Sequence, residues 1–301
     1  MIHPSVTLRG LLAVGAAVSA FSLAACGSSS GSPAGTAGST SPSSSSSASA
    51  STPAGSASTP GGSAASGVKL IAPGKLTVCT HLPYAPFQSN DDSGKTVGLD
   101  VDMMDLVAKK LGVQQQIVDT PFEGIKSGQD LSTGKCDIAA AGMTITPERK
   151  KAILFSVPYF DATQALLVKK DSSIATLADL KGKKLGAQAA TTGLDYANAK
   201  KAAGGYEVVE FQDLASETQA LTTGQVDGAI NDLPVWTEAI KENSGATKVA
   251  AQFDTGEQYG FGMKLGNSAL KKVVDSTITS AKSDGSYAAL YKKWIGSEPP
   301  K

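Results

Sequence analysis

The sequence predicts an α/β fold with two lobes of similar topology. Short apolar strands alternate with amphipathic helices, the pattern of largely parallel sheets covered by helices, and this alternation occurs twice along the chain. A Gly-X-X-Asp step starts a buried strand in each half, at Gly134–Asp137 and at Gly224–Asp227. We expect the chain to cross between the lobes near Asp161–Ala162 and to return near Glu257–Gln258.

Turn and capping residues predict where the elements of the first lobe begin and end. The cluster of Asn, Asp and Gly at 90–95 is typical of a hairpin turn. Gly112 is a typical helix C-cap, so the amphipathic stretch before it is predicted to be a helix. The predicted elements are strand 76–79, helix 101–111, strand 115–118, a helical stretch near 124–131 and strand 136–142.

The same order of elements returns in the second lobe. Strand 185–188 leads into Thr191-Thr192-Gly193, which is a favourable start for a helix that runs through Lys201. A final helix at about 269–282 is expected to pack back on the first lobe. The remaining predicted elements are strand 207–211, helix 216–223 and strand 226–230.

The N-terminal part has a different composition. Arg9 precedes an apolar run at 11–20 that is too short to span a bilayer, so residues 1–25 are predicted to be a signal peptide. Leu23–Cys26 resembles a bacterial lipobox, which implies that Cys26 is lipidated, for example with palmitate, and held at the outer face of the cell membrane. An ordinary secretory signal is the alternative. Residues 26–67 then form the anchor and a disordered Ser/Ala/Gly/Pro tether without charge.

Charge and cysteine content exclude some classes of function. The 27 basic and 27 acidic side chains balance, so there is no net field to attract nucleic acid or anionic lipid. No Walker-type glycine loop occurs in the sequence, so ATP hydrolysis must come from a partner. If Cys26 is lipidated, Cys79 and Cys136 form an even pair in an oxidising compartment. We hypothesise that they form a disulfide, and two buried free thiols are the alternative.

Three aspartates lie near the start of the first predicted helix. Carboxylates at a helix N-terminus cap free N–H groups and favour the helix dipole, so we interpret Asp100 and Asp102 as capping residues. A metal site formed with Asp105 is the less simple interpretation. The sequence predicts neither a metal nor a cofactor.

The segment Gly98–Met103, with Val107-Ala108 and Leu111, resembles the signature of the family 3 extracellular solute-binding proteins, the polar-amino-acid receptors of ABC importers. Further matching motifs are Pro83–Phe87, Gly142–Arg149, Ser156–Tyr159, and Gly285–Tyr287 with Trp294. The resemblance covers 70–296 and implies a two-lobe, periplasmic-binding-protein-like fold of type II, with a ligand cleft between the lobes and two hinge crossings. The implied boundaries are 68–161 and 258–301 for lobe I and 162–257 for lobe II.

The resemblance implies a site for both charged ends of an α-amino acid. A guanidinium can bind a carboxylate bidentately, and Arg149, the only arginine after Arg9, matches the family's carboxylate-binding position. The hydroxyl and N–H of Thr144, and Thr192 at a helix N-terminus, match further carboxylate-binding positions. The carbonyl of Gly142 and the carboxylate of Asp232 match the groups that bind the ammonium. A helix cap before Pro234 is the alternative for Asp232.

The remaining matched positions concern the ligand side chain. Tyr84 and Phe122 match the aromatic residues that sandwich its aliphatic part. His81 stands where the family often has an aspartate, and Gln188 and Asn231 match other positions that contact the side chain. Because these groups are uncharged, the predicted ligand is an uncharged polar L-amino acid, with glutamine leading and asparagine or cystine behind it.

The predicted function is binding rather than catalysis. The chain would capture the amino acid as a monomer, close its lobes, and deliver the ligand to a membrane permease with a separate ATPase. The first alternative is an enzyme that resembles cyclohexadienyl or arogenate dehydratases on the same fold, for which His81 is the acid–base candidate. The second is a ligand sensor for a membrane signalling partner.

Overall fold

The structure is a computed structural model that describes residues 67–243 and 245–300. The predicted signal peptide, the tether and Cys26 lie outside the described residues. The strands are β1 Lys75–Thr80, β2 Ser89–Asn90, β3 Thr96–Val97, β4 Gln114–Asp119, β5 Ile138–Ala139, β6 Ile153–Phe155, β7 Phe160–Lys169, β8 Lys184–Gln188, β9 Glu207–Phe211, β10 Gly228–Asp232, β11 Thr247–Tyr259 and β12 Gly262–Lys264. The helices are α1 Leu99–Leu111, α2 Phe122–Lys126, α3 Gln129–Ser132, α4 Thr192–Gly204, α5 Leu214–Thr223, α6 Leu233–Glu242, α7 Ser268–Asp284 and α8 Ser286–Ile295. No helix of this part of the chain is long and apolar enough to cross a bilayer.

Two five-stranded sheets form the centres of two lobes. The first has the strand order β4-β1-β5-β12-β6 and the second β11-β7-β10-β8-β9. In the first sheet β1 pairs in parallel with both β4 and β5, and in the second β8 pairs in parallel with both β9 and β10. The predicted α/β fold with two lobes is therefore confirmed.

Strands β7 and β11 connect the lobes. They pair antiparallel, with Ala162 opposite Glu257 and Asp161 opposite Gln258. These are the residues at which the chain was expected to cross and return, so the hinge is a two-stranded ladder. The exact lobe boundaries stay a prediction.

The strand predicted at 136–142 is shorter in the structure, where only β5 is regular. Before it, the carboxylate of Asp137 accepts hydrogen bonds from the main-chain N–H groups of Ile71 and Thr77, at 2.8 Å each. After it, Gly142 has φ +55° and turns the chain towards the space between the lobes. The helix predicted at 124–131 is divided into α2 and α3 by Gly128, which has φ +74°.

The capping interpretation of Asp100 and Asp102 is wrong. Neither side chain bonds the N-terminus of α1, which begins after Gly98 without a side-chain cap. Asp102 instead accepts hydrogen bonds from Lys293 at 2.8 Å and from the indole of Trp294 at 2.7 Å, both on α8. Asp100 points into the first lobe and is described with the site. Helix α7 packs against α1, as predicted, and α8 follows it as a second, unpredicted helix.

Cys79 and Cys136 are joined as a disulfide, with their Cα atoms 5.6 Å apart. The bond links β1 to the segment that enters β5. Both half-cystines are buried among Phe122, Ile125 and Leu131. The disulfide therefore cross-links the part of the first lobe that packs against α2.

Candidate functional site

A cavity lies between the lobes, at the ends of their strands. The lining side chains are His81, Tyr84, Gln88, Phe122, Ala141, Gly142, Thr144, Arg149, Gln188, Thr191, Thr192 and Asp232. The structure therefore brings together every predicted ligand-binding residue except Asn231, which lies directly behind the cavity. Gln88, Ala141 and Thr191 join the lining without having been predicted.

Arg149 is a buried cation in this cavity, with 5% of its surface exposed. Its guanidinium donates to the carbonyls of Thr144 at 2.8 Å and Ala190 at 3.1 Å and lies over the ring of Phe122 at 5.4 Å. Burial lowers its pKa, and the nearby carboxylates, Asp195 first, oppose that change. No carboxylate of the described residues forms a salt bridge with it, so its remaining N–H groups are left for an anion.

Thr144 and Thr192 meet across the cleft beside Arg149. Their hydroxyl oxygens are 3.4 Å apart. Thr192 is the first residue of α4, whose N-cap Thr191 accepts a hydrogen bond from Leu194 N at 3.1 Å. The first N–H groups of a helix have no intrahelical partner and favour a negative charge. This corner of the cavity therefore combines a guanidinium with a helix N-terminus, and both suit a carboxylate.

Asp232 supplies the opposite charge. It is buried, and its carboxylate accepts hydrogen bonds from the hydroxyl of Tyr84 at 2.7 Å, from the hydroxyl of Tyr259 and from the amide of Gln164. Its pKa is raised to about 6, mainly by burial and then by the charge of Glu257, while the hydrogen bonds from the two tyrosines oppose the increase. Asp232 precedes α6 but makes no capping bond to that helix, so the helix-cap alternative is wrong.

Gly142 is positioned by the signature residue Asp100. The main-chain N–H of Gly142 donates to Asp100 at 2.9 Å, and the hydroxyl of Tyr159 donates to the other carboxylate oxygen. A Cβ at position 142 would lie 2.9 Å from the ring of Tyr84, so the close approach requires glycine. Burial raises the pKa of Asp100 to about 7. Sequence reasoning missed this role, because the motif shows the aspartate but not its partner 42 residues away.

The other end of the cavity presents hydrogen-bond acceptors. His81 Nδ1 lies 3.1 Å from the carbonyl of Thr120, which can only accept, so Nδ1 carries the hydrogen and Nε2 of the neutral ring is an acceptor. Gln88 is 1% exposed, and its NH₂ donates to the carbonyl of His81 at 3.2 Å. Neither His81 Nε2 nor Gln88 Oε1 has a partner among the described residues, although both atoms are buried. A lone glutamine after Phe87 gave no signal in the sequence.

A donor lies opposite these acceptors on the second lobe. The amide oxygen of Gln188 accepts from Asn231 Nδ2 at 3.3 Å, which leaves the NH₂ group of Gln188 for the cavity. Asn231 also donates to Glu217 at 3.0 Å and lies 2.8 Å from the hydroxyl of Tyr84. Glu217 is completely buried, and burial raises its pKa to about 8. This acid was not foreseen, because nothing in helix α5 distinguishes it from an exposed glutamate.

Within the described residues no group of three or more His, Cys, Asp or Glu side chains could hold a metal ion. Asp102 and Asp105 are held by other partners, since Asp105 accepts a hydrogen bond from Gln115 at 2.6 Å. The chemistry available in the cleft is thus that of a fixed cation, a fixed anion and neutral polar groups.

A ligand cleft between two hinged lobes, with a cation and an anion facing it, is typical of a solute-binding protein. The chain belongs to the bacterial extracellular solute-binding proteins, family 3, because residues 76–297 match the model of that family. It is similar to the ABC transporter glutamine-binding protein GlnH of Bacillus subtilis (strain 168). That relative is 37% identical over 215 residues, which cover 70% of this chain and 77% of the relative.

Two solved structures extend the comparison. An ancestral arginine-binding protein bound to glutamine has a TM-score of 0.69 and 40% identity, covering 74% of this chain and 99% of that chain. An ancestral amino-acid-binding protein, described as a precursor of cyclohexadienyl dehydratase, has a TM-score of 0.69 and 37% identity, covering 74% and 96%. Binding proteins and the ancestor of an enzyme therefore share this fold.

Proposed function

We propose that this chain captures an uncharged polar L-amino acid between its lobes, with L-glutamine as the leading candidate, and delivers it to an ABC importer. One observation carries the proposal. Arg149 is a buried cation without a salt-bridge partner among the described residues, and it lines the same cavity as the buried anion Asp232. A buried charge is costly unless it is paired, and a zwitterion with an α-carboxylate and an α-ammonium pairs both.

The ligand carboxylate would lie against Arg149 and the N-terminus of α4. The guanidinium is held in place by two carbonyl oxygens and by the ring of Phe122, so it is already oriented before the ligand enters. Preorganised donors lose little entropy on binding. The α-ammonium would lie between Asp232 and the carbonyl of Gly142, with Tyr84 as a wall.

The unpaired polar atoms at the far end favour a primary amide. Its NH₂ can donate to His81 Nε2 and Gln88 Oε1, and its oxygen can accept from the NH₂ of Gln188. A guanidinium has no acceptor for Gln188, and a carboxylate has no hydrogen for the two acceptors. A buried polar group without a partner costs about 1–3 kcal/mol, so each mismatch disfavours the charged side chains. This argument supports glutamine, and the glutamine-binding relative supports the same choice.

The transport role fits the family and the hinge. Ligand bound between the lobes stabilises the closed form by its differential affinity, and a permease partner with a separate ATPase would recognise that form. We propose that the chain acts as a monomer and as a receptor rather than an enzyme. We further propose that a signal peptide is removed after residue 25 and that lipid on Cys26 holds the chain at the outer face of the cell membrane.

A dehydratase activity is the second candidate, and it is motivated by the ancestral precursor of cyclohexadienyl dehydratase. An elimination needs a proton donor or acceptor at the substrate. His81 is the candidate in the cavity, and its Nδ1 hydrogen is already directed to the carbonyl of Thr120. A sensor for a membrane signalling partner would use the same binding site.

A thermal-shift panel tests the proposed function. The panel contains the common L-amino acids, L-cystine, prephenate and arogenate, each added to the purified protein. We expect the largest stabilisation with L-glutamine and a smaller one with L-asparagine. Stabilisation chiefly by arginine, lysine or histidine would contradict the neutral side-chain site, and formation of an aromatic product from prephenate or arogenate would contradict the receptor role.

A further inference from the structure

Glu257 lies behind the cavity and is not one of the residues that line it. One of its carboxylate oxygens accepts three hydrogen bonds, from the hydroxyl of Thr192 at 3.1 Å, from the amide of Gln164 at 3.0 Å and from the hydroxyl of Thr144 at 3.3 Å. The side chain is half-buried on the hinge strand β11. A single acceptor therefore gathers donors from three separate elements.

These donors come from both lobes. Thr144 follows β5 of the first lobe, while Thr192 starts α4 of the second and Gln164 lies on β7. The two hydroxyls approach to 3.4 Å only because the lobes are together. A rotation about the hinge that separates the lobes must therefore break at least one of the bonds to Glu257.

The hydrogen bonds around Glu257 indicate that this side chain does not bind the ligand directly. A hydroxyl has one hydrogen, and Thr144 and Thr192 both lie within hydrogen-bond distance of Glu257 as well as of each other. While these hydroxyls donate to Glu257, a ligand carboxylate would be held by Arg149 and by main-chain N–H groups. Glu257 adds negative charge on the side where a ligand carboxylate would lie. Its bonds to both lobes explain its position better than attraction of the ligand does.

Glu257 is also linked to Asp232, the anion of the site, through a shared hydrogen-bond donor. The NH₂ group of Gln164 donates to Asp232 as well as to Glu257 at 3.0 Å. An amide NH₂ has two hydrogens, so it can serve both carboxylates at once. The position of Asp232 and the closure of the lobes thus depend on one hydrogen-bonded chain.

We propose that Glu257 is a closure latch, a positioning residue that holds the two lobes together from the hinge side. The proposal rests on the proposed function, since it assumes that ligand is held between the lobes. The latch stabilises the closed form with or without ligand, and it slows the release of bound ligand.

The test compares Glu257→Ala and Glu257→Gln with the control Gln258→Ala. Gln258 is the next residue of β11, and its exposed amide bonds Asp161 at 2.8 Å within the hinge ladder. Small-angle scattering of the ligand-free proteins reports closure without requiring any ligand. We expect a larger radius of gyration for Glu257→Ala, an intermediate value for Glu257→Gln, which keeps an acceptor oxygen, and no change for the control.

Stopped-flow binding of L-glutamine gives the second measurement. Hydrogen bonds to a charged group are among the stronger ones, so we expect the dissociation rate of Glu257→Ala to rise about tenfold, which corresponds to about 1.4 kcal/mol, with a smaller change in the association rate. Thr192→Val should act in the same direction and add little in the double variant. Unchanged scattering, or tighter binding by Glu257→Ala, would overturn the latch. If the wild-type protein does not bind L-glutamine, the proposed ligand fails, and the scattering alone decides on the latch.

Discussion

Arg149 combines a full charge with burial, and that combination is unfavourable until an anion enters the cleft. Two carbonyl oxygens and the ring of Phe122 fix the guanidinium but do not neutralise it. The negative groups whose charge reaches it, among them Asp195 and Asp232, lie beyond salt-bridge distance. Such an uncompensated cation does not contribute to stability, which supports our proposal that Arg149 binds the ligand carboxylate.

Replacing this side chain tests the anion site. We expect Arg149→Ala to fold and to bind L-glutamine about 100-fold more weakly, because about 2–3 kcal/mol is lost when the ligand carboxylate is left unpaired. The matched control is Lys150→Ala, since Lys150 is the next residue and is exposed. Calorimetric titration measures both variants, and near-wild-type affinity of Arg149→Ala would mean that the carboxylate binds elsewhere.

Single residues show what a sequence can predict about a site and what it cannot. That Arg149 and Asp232 line one cavity was predictable, because their charges suit the two ends of an amino acid and their motifs resemble a known family. The positions of Gln88 at the cavity and of Glu257 behind it were not predictable, because the contacts of each depend on atoms supplied by other parts of the chain. The capping interpretation of Asp100 failed for the same reason, since its partners are Gly142 and Tyr159.

Helix α5 carries a buried acid on its inner side. Glu217 is completely buried, and one of its oxygens accepts from Asn231 at 3.0 Å, while the other has no partner among the described residues. Burial raises its pKa from 4.5 to about 8, the hydrogen bond from Asn231 lowers it, and the charge of Asp232 adds a further increase. The folded protein therefore retains a proton that the unfolded chain releases.

This acid makes stability depend on pH. Because its folded-state pKa is raised, its contribution is fully present below about pH 4.5 and is lost as the pH rises through about 8. We expect the free energy of unfolding to fall between pH 5 and pH 8.5 by an amount on the order of a few kcal/mol. Denaturant unfolding at several pH values should show a smaller fall for Glu217→Gln. The fall that remains in Glu217→Gln is assigned to Asp100 and Asp232, whose pKa values are raised to about 7 and about 6. Equal slopes for both proteins would contradict the assignment.

The disulfide gives β1 and the chain before β5 a covalent connection. The two cysteines are separated by 57 residues, so the chain-entropy model gives about 4 kcal/mol of stabilisation. We expect non-reducing proteolysis and mass spectrometry to find one cross-linked peptide containing Cys79 and Cys136. Reduction should lower the melting temperature of the wild-type protein but not of Cys79→Ala/Cys136→Ala. Two free thiols in the unreduced protein would exclude the bond.

Elements with strong local signals were predictable, and those defined by the assembly were not. Strand β9 occupies the predicted residues 207–211, and α1 ends at the predicted Gly112. The hinge strands β7 and β11 were missed as strands. The exposure of β11 alternates along its second half, but Thr255 and Glu257 are polar residues at its less exposed positions and the register shifts twice, so no alternation of apolar and polar residues marks the strand. Helix α8 was not predicted. It contacts Asp102 of α1, which is distant in the sequence, so the local sequence does not show this contact.

In the described part of the chain, one hinge joins the two lobes, and a single bound ligand would contact both of them. The closed arrangement brings Arg149 of one lobe to the carbonyl of Ala190 in the other, and Tyr84 to Asp232. These polar contacts are few, so the balance between open and closed forms is expected to be sensitive to ligand.

The location of the protein at the cell membrane is a separate prediction, which rests on the segment Leu23–Cys26. We expect Cys26→Ser to release the protein from cells into the medium, because a lipid chain can no longer be attached. Ser28→Ala should leave the protein in the membrane fraction and serves as the control. Membrane association and detergent partitioning that do not change in Cys26→Ser would contradict the lipid anchor.

We propose that the cleft binds both charged ends of an amino acid and that the polar groups at its far end recognise a neutral amide. Calorimetric titration with L-glutamine and, separately, with L-arginine tests it most directly, because these ligands share the charged ends and differ at the side chain. We expect one L-glutamine bound per chain, with weaker or undetectable binding of L-arginine. Tighter binding of L-arginine, or no heat from either amino acid, would contradict it.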